Sequence, residues 1–443
     1  MKIFFDSLGC PKALVDAEKM SYLIEKEGHI LVNSTDEAEA IIVNTCGFIE
    51  TAKKENIEAI LNYTELKKEK PFLKIIVSGC LSERYREEIL KAIPEIDAAI
   101  GVRDFTKIID ALSKKDRKKL LDDGEIRNDA FFPERSLNFS GLNYAYLKIS
   151  EGCNKRCSFC AIPAIRGKQR SRTIENIIEE AEFLLSNGIR EVILIAEDTS
   201  SYGIDIYGER KLTDLLKRLN SMEFDWIRVM YLYPDESLLS TVETISSLSK
   251  VCKYIDIPLQ HVNNDVLRSM NREGSLEDYL LLIEKIRKIN PDMVIRSSFI
   301  VGYPLETETA FNELKFFLKE AKLNRVGFFE FSREEGTQSY KIKPLFKKGV
   351  IKERLKEITQ LQSEISRQLL RKYVGRKLKC IFEGSISEGD GETLLFRTEY
   401  DAPEIDGVVK VFNTDERIIE NSFEKIEIID SDEVDLIGKL NEF

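Results

Sequence analysis

Residues 144–160 read YAYLKISEGCNKRCSFC, a strand pattern that runs straight into three cysteines. Tyr144–Ile149 is short, apolar and aromatic, as a buried strand is. Cys153, Cys157 and Cys160 follow in a C-x3-C-x2-C spacing. With eight Cys among 443 residues, chance yields about 0.003 such patterns per chain, too few for an accident. Thiolates grouped on so short a loop suit an iron–sulfur cluster. Three of them leave one iron of a four-iron cube without a protein ligand, and an open metal position is where a small molecule binds. A ferredoxin would bring a fourth cysteine, and none follows nearby. The loop after a parallel strand is also where an α/β barrel carries its chemistry.

Working outward, residues 141–373 repeat a strand–helix alternation. The strands expected are Tyr144–Ile149, Glu191–Ala196, Trp226–Tyr231, Tyr254–Ile257, Val294–Val301 and Val326–Phe331. Six β/α units fall short of the eight in a full barrel of about 250 residues, so a partial (β/α) barrel is expected. A long helix, Lys352–Tyr373, closes it. Residues 1–112 alternate in the same way: strands Lys2–Ser7, Ile30–Asn33, Ala40–Asn44, Lys74–Ser78 and Ala98–Val102 are separated by helical patterns. That is an open parallel sheet with helices on both faces. Residues 113–140 are charged and irregular and read as a linker, its basic run Lys114–Lys119 a solvated face. Residues 375–443 lose the helical period. Lys377–Phe382, Thr393–Thr398, Val408–Phe412, Lys425–Ile429 and Leu436–Leu440 predict a small five-stranded β-barrel. The fold class is thus α/β with a terminal all-β module, and three units agree with the usual domain size of about 150 residues.

A second group of cysteines is dispersed. Cys10, Cys46 and Cys80 stand 36 and 34 residues apart, each just past an expected strand of the first sheet. Those strand ends lie along one edge of a parallel sheet, where ligands bind. Three distant cysteines can therefore meet at one point. A glycine beside each (Gly9, Gly47, Gly79) permits tight turns and exposes backbone N–H groups around sulfur. The reading is a second cluster, again with three ligands and one open iron.

Composition narrows the field. An apolar content of 43% is that of an ordinary globular chain. No apolar run is long enough to span a membrane, and the opening MKIFFD turns acidic too soon for a signal peptide. A reducing cytoplasm is expected, where grouped cysteines are metal ligands or catalysts rather than disulfides. The two histidines, His29 and His261, leave little room for zincin or Ser-His-Asp chemistry. The net charge of −11 is uneven: residues 375–443 hold 18 Asp/Glu against 8 Lys/Arg, nearly the whole excess. Such a module repels phosphate backbones and reads either as a solubilising surface or as a dock for a basic protein.

C-x3-C-x2-C after a first barrel strand resembles the radical S-adenosylmethionine (SAM) superfamily, as does Val301-Gly302-Tyr303-Pro304-Leu305-Glu306-Thr307, which is similar to that family's V-G-F-P-G-E-T loop. Combined with a second cysteine group and a terminal β-barrel, the chain resembles the methylthiotransferase family over its whole length, the last module matching its TRAM domain. Arg166-Gly167-x3-Ser171-Arg172 and Asp256-Ile257-Pro258-Leu259-Gln260-His261 add to the match. The tRNA-modifying branch carries Gly-Cys-Gln-Met-Asn at the first cysteine and Ser-His-Pro after the third barrel strand. Here Gly9-Cys10-Pro11-Lys12 and Tyr231-Leu232-Tyr233-Pro234 look like the ribosomal protein branch. Glu197-Asp198-Thr199 is similar to that branch's Gln-Asp-Thr loop, with Glu197 in place of Gln.

The resemblance implies two 4Fe-4S clusters and SAM as cofactors, an external reductant, and a basic small-subunit ribosomal protein as partner. It implies that SAM is cleaved to a 5′-deoxyadenosyl radical at the Cys153, Cys157 and Cys160 cluster. The cluster of Cys10, Cys46 and Cys80 would supply or hold sulfur for an aspartate β-carbon. That C–H bond is unactivated beside a carboxylate, which is why radical chemistry is needed. Gly302 and Arg172 are implied on the SAM side. A tRNA adenosine target is the alternative within the family. An iron–sulfur electron carrier is the alternative outside it, and would cleave no SAM. Arg166, Lys168, Arg170 and Arg172 read as a solvated basic face, with contact to the SAM carboxylate or the substrate aspartate as the alternative, His261 as structural, Cys252 and Cys380 as core. Gly203 to Gly208 has P-loop spacing, but Glu209-Arg210 stand where Lys-Ser/Thr belong, so no nucleotide site is expected.

Overall fold

The computed structural model describes residues 1–113, 132–388, 391–412 and 422–440. The basic run Lys114–Lys119 of the expected linker lies outside them. Ala40–Thr45 is buried along its whole length. It pairs in parallel with Lys2–Ser7 on one side and Lys74–Gly79 on the other, and Ile30–Val32 and Ala98–Ile100 form the edges. Alternate side chains serve opposite faces. Ile42 and Ile76 pack with Ala17 and Met20 on one face, while Ile41, Val43, Ile75 and Val77 pack with Ile60 and Ile89 on the other. Helices on both faces explain why these strands are apolar throughout.

The central strands form two parallel three-stranded sheets. Glu191–Ile195 lies between Tyr144–Lys148 and Trp226–Val229, and Val294–Val301 lies between Tyr254–Asp256 and Arg325–Glu330. A parallel bridge between Ile227 and Val251 joins them, giving the partial barrel of six strands. Ala145, Leu147, Val192 and Leu194 face the outer helices, whereas Tyr144, Tyr146, Ile193 and Ile195 face inward. Val15 of the helix Pro11–Lys26 enters the inner cluster, and so do Ile381 and Ala402 of the terminal module. The barrel interior is therefore filled by all three parts of the chain. Cys252 and Cys380 are buried and free, as core residues.

The terminal strands close into a barrel in the order Lys377–Glu388, Gly391–Thr398, Val409–Phe412, Leu436–Leu440, Phe423–Ser431. The first runs past the expected Phe382 because a bulge between Phe382 and Gly384 interrupts the alternation without ending the pairing. This module is locked to the base of the larger barrel by charge. Arg397 Nη2 reaches Glu191 Oε2 at 2.5 Å, and Arg228 Nε meets the other oxygen of Glu191 at 2.9 Å. Tyr144 donates to Glu404 at 2.8 Å, Tyr254 to Asp406 at 2.7 Å, and Arg325 pairs with Asp401. Part of the terminal acidic excess is thus engaged inside the molecule.

The first sheet is tied to the barrel by a second buried knot. Glu180, on the outer helix Ile174–Ser186, lies 2.7 Å from Arg172, 3.2 Å from Lys19 and 3.5 Å from Arg135. All four side chains are almost wholly buried. No helix among the described residues is long and apolar enough to cross a membrane.

Candidate functional site

The first cysteine group sits where the parallel sheet puts it. Cys46 directly follows Thr45 and Cys80 directly follows Gly79, at the carboxyl ends of neighbouring strands. Cys10 is the residue before the helix Pro11–Lys26, and Cys80 opens the helix Cys80–Ala92, three residues ahead of the stretch Glu83–Ala92 whose pattern reads as helical. Two of the three thiols therefore stand at helix N-termini, whose partial positive charge favours thiolate. Burial works the other way: it pushes Cys80 up to about 12, with Cys10 and Cys46 adding repulsion against the relief from Arg166. Burial also raises Cys46.

Two glycines set the approach. A Cβ on Gly47 would lie 2.7 Å from the carbonyl carbon and oxygen of Cys80, so the Cys46 turn rests on the Cys80 backbone. Gly79 has φ +97° and ψ −160°, a region open essentially to glycine alone. A Cβ there would meet Thr45 O at 2.4 Å. Gly79→Ala is expected to cost about 1–3 kcal/mol in backbone strain alone. It should displace Cys80, so that iron per reconstituted chain falls from about eight toward about four. Iron analysis beside a melting curve checks this; full iron at an unchanged melting temperature would contradict it.

The second group lies on the loop after Tyr144–Lys148. Gly152 turns into it with φ +73°, and Cys153 N–H donates to Gly167 O at 3.1 Å. The far side is held by a loop the sequence pattern does not mark. Ser158 N–H donates to Met270 O at 2.9 Å, Asn271 Nδ2 to Arg156 O at 2.8 Å, and Arg272 Nη1 approaches Cys157 Sγ at 3.7 Å. Arg272 and Lys155 both lie over the ring of Tyr233, at 4.4 and 3.9 Å from its centroid. Burial pushes Cys153 and Cys160 up to about 12, with neighbouring thiols and Glu197 adding to it.

Arg166 connects the two groups. Its guanidinium is buried and reaches Cys80 Sγ at 3.6 Å, Glu151 at 2.5 Å, Asp16 at 3.3 Å and Glu197 at 3.6 Å. Lys148 completes the knot between Asp16 and Glu151. Glu197 is the carboxylate felt by both Cys153 and Cys160. Neither of its oxygens has a hydrogen bond among the described residues. Burial, with Glu151 nearby, pushes it up to about 7. Lys12 completes the ring of charge: its ammonium sits 4.2 Å from the centroid of the Tyr231 ring. Sequence reading noted Lys12, Glu197 and Tyr231 only as motif letters and gave Arg272 no role. Arg272 lies in an unpatterned turn, and only the fold carries it to Cys157.

The other candidates are placed differently. Arg172 donates to Lys148 O at 2.9 Å and to Asn176, and pairs with Glu180 at 2.7 Å. Gly302 ends the strand Val294–Val301 with φ +80°, its N–H donating to Glu306 at 3.1 Å. A Cβ on it would lie 2.7 Å from the Ile351 side chain. His261 Nε2 stands 3.5 Å from Glu306, which Arg354 holds at 2.6 Å. That is a buried structural cluster.

Among the described residues no three His, Cys, Asp or Glu side chains come close enough to share one metal ion. A four-iron cluster makes a different demand: each thiolate takes its own iron, so the sulfurs stand apart. The eight cysteines are free thiols. All-sulfur donor sets at two loops suit iron–sulfur clusters and not a hard cation.

Comparison with known proteins agrees part by part. The model described as "Uncharacterized protein family UPF0004" matches residues 2–101, "Radical SAM superfamily" matches 147–318, and "TRAM domain" matches 374–440. The chain is 46% identical over 437 residues to the ribosomal protein uS12 methylthiotransferase RimO of Caldanaerobacter subterraneus subsp. tengcongensis, covering 98% of each. It is 42% identical over 447 residues to the protein of that name from Thermosipho africanus, covering 100% of each. Among solved structures it resembles the radical SAM methyltransferase TsrM from Kitasatospora setae, with TM-score 0.56, 13% identity and 76% of each chain covered. The cobalamin-dependent radical enzyme OxsB follows at TM-score 0.52 and 13% identity, over 82% of this chain and 56% of that one. At such identities these two speak for the fold alone. Full-length identity above 40%, with three matching modules in order, means that the chain belongs to the RimO family of ribosomal protein uS12 methylthiotransferases.

Proposed function

We propose that this protein transfers a methylthio group to the β-carbon of an aspartate in the small-subunit ribosomal protein uS12. In this reading Cys10, Cys46 and Cys80 hold one 4Fe-4S cluster and Cys153, Cys157 and Cys160 the other. SAM binds beside the latter. When bound, these groups supply radical formation, sulfur and the methyl group. The observation that carries the reading is Arg166: one buried side chain touches Cys80 of the first group and Glu197, the carboxylate felt by Cys153 and Cys160 of the second.

The chain's own residues have definite tasks. Glu151 and Asp16 fix the Arg166 guanidinium in place, so a cation stays beside the sulfur of Cys80 and offsets thiolate charge there. Arg272 does the same at Cys157. Gly47 and Gly79 let the two neighbouring turns close. The family and the cysteine content together favour the cytoplasm, with an external electron donor.

The test is mass measurement of uS12 from a bacterium deleted for its own methylthiotransferase and carrying this gene. One methylthio group on one aspartate is expected, with tRNA nucleosides unchanged. An unmodified uS12, or new methylthioadenosines, would sink the proposal.

A further inference from the structure

The region between the cysteine groups is crowded with acids, so an incoming carboxylate needs a cation with donors free. Arg166 is engaged by Glu151, Asp16 and the Cys80 sulfur. Lys148 is held between Asp16 and Glu151. Arg272 is engaged by Pro258 O at 2.7 Å and by Cys157, which leaves only its buried Nε without a hydrogen bond. Lys12 differs. It is only 9% exposed, yet it makes no hydrogen bond or ion pair among the described residues. It has a ring face beneath it and three N–H donors, and a buried ammonium left in that state is costly.

The support beneath it is built with strain. Tyr231 adopts φ +61°, rare for an aromatic residue, and its N–H is held by Asp256 Oδ2 at 3.1 Å. That conformation aims the ring at Lys12. The lysine acts electrostatically on Cys10 of the first group and on Glu197, the neighbour of the second.

We propose that Lys12, seated on the Tyr231 ring, receives the side-chain carboxylate of the substrate residue and makes the site select aspartate. The inference rests on the function proposed above. One charge-assisted hydrogen bond from Nζ to the carboxylate fixes the adjacent β-carbon between the cysteine groups. Asparagine, of the same shape but neutral, offers Nζ only an amide oxygen and no charge, and is held more weakly.

The test uses the full chain with reconstituted clusters and two synthetic uS12 peptides, one with the aspartate and one with asparagine there. Calorimetry gives each Kd, and mass spectrometry the product. Iron content and 5′-deoxyadenosine formation are followed in parallel. Wild type is expected to bind the aspartate peptide about 10- to 100-fold tighter. Lys12→Met should erase that preference while keeping iron and SAM cleavage. Lys12→Arg should restore part of it, and Tyr231→Leu should weaken it. A preference that persists in Lys12→Met overturns the assignment. So does loss of iron in Lys12→Met with no preference regained in Lys12→Arg, which would make the lysine a support of the cluster. A wild type that modifies uS12 without preferring aspartate overturns the carboxylate assignment alone; a wild type that modifies nothing overturns the underlying function with it.

Discussion

Alanine at Cys153, Cys157 and Cys160 together is expected to lower bound iron from about eight to about four per chain and to abolish 5′-deoxyadenosine formation. Alanine at Cys10, Cys46 and Cys80 should remove the other four irons and leave SAM cleavage intact. Both variants should lose methylthiolation entirely. The asymmetry follows from placement. The first three cysteines share one loop at the mouth of the barrel, and the second three sit on turns of a separate sheet. Anaerobic iron, sulfide and nucleoside analysis of the two variants decides it. If either triple substitution stripped all the iron, the two groups would be building one centre.

Glu180→Gln is expected to be strongly destabilising. Arg172, Lys19 and Arg135 hold the buried Glu180 carboxylate down to about 2, against burial, which alone would raise it. Relative to an ordinary carboxylate the shift corresponds to about 3 kcal/mol at neutral pH. Removing the anion leaves three cations in the interior, and breaking such a knot costs about 3–5 kcal/mol. Lys19, already pushed down to about 8 by burial, can give up its proton and limit the loss. A net cost near 3 kcal/mol is expected. The sign with pH is fixed: the folded-state value is depressed, so the contribution is complete above the ordinary carboxylate value and fades as pH falls toward about 2. Urea midpoints of variant and wild type should therefore differ clearly at pH 7, draw together below about pH 4 and converge only near pH 2. An equal gap at both would show that the carboxylate charge is not what Glu180 contributes.

Much of the architecture was legible in the residues. AIIVNT at 40–45 and KIIVSG at 74–79 are apolar throughout because helices cover both faces, and the cysteines after them mark the strand ends. Strand ends shifted by a residue or two, since the last paired residue depends on a neighbour rather than on its own chemistry. The extension of Lys377–Glu388 past its bulge was hidden because a bulge breaks alternation while the ladder continues. The helix from Cys80 begins earlier than its apolar pattern, since its first turn sets the Cys80 backbone against Gly47 and sends Leu81 alone into the core. The acidic balance of the terminal module was countable, but its use was not: Glu404, Asp401 and Asp406 turn inward onto Tyr144, Arg325 and Tyr254.

The sequence by itself determined the three modules, their order, and the six sulfurs grouped three and three. Local spacing and strand periodicity carry that information along a single stretch of chain. Only the tertiary structure decided what stands between the sulfurs. Lys12, Arg166, Glu197 and Tyr231 are far apart in the chain, and each alone reads as a surface charge or a core ring. Burial against one another is what turns them into a site, because charges excluded from water act on each other at distances where water would screen them.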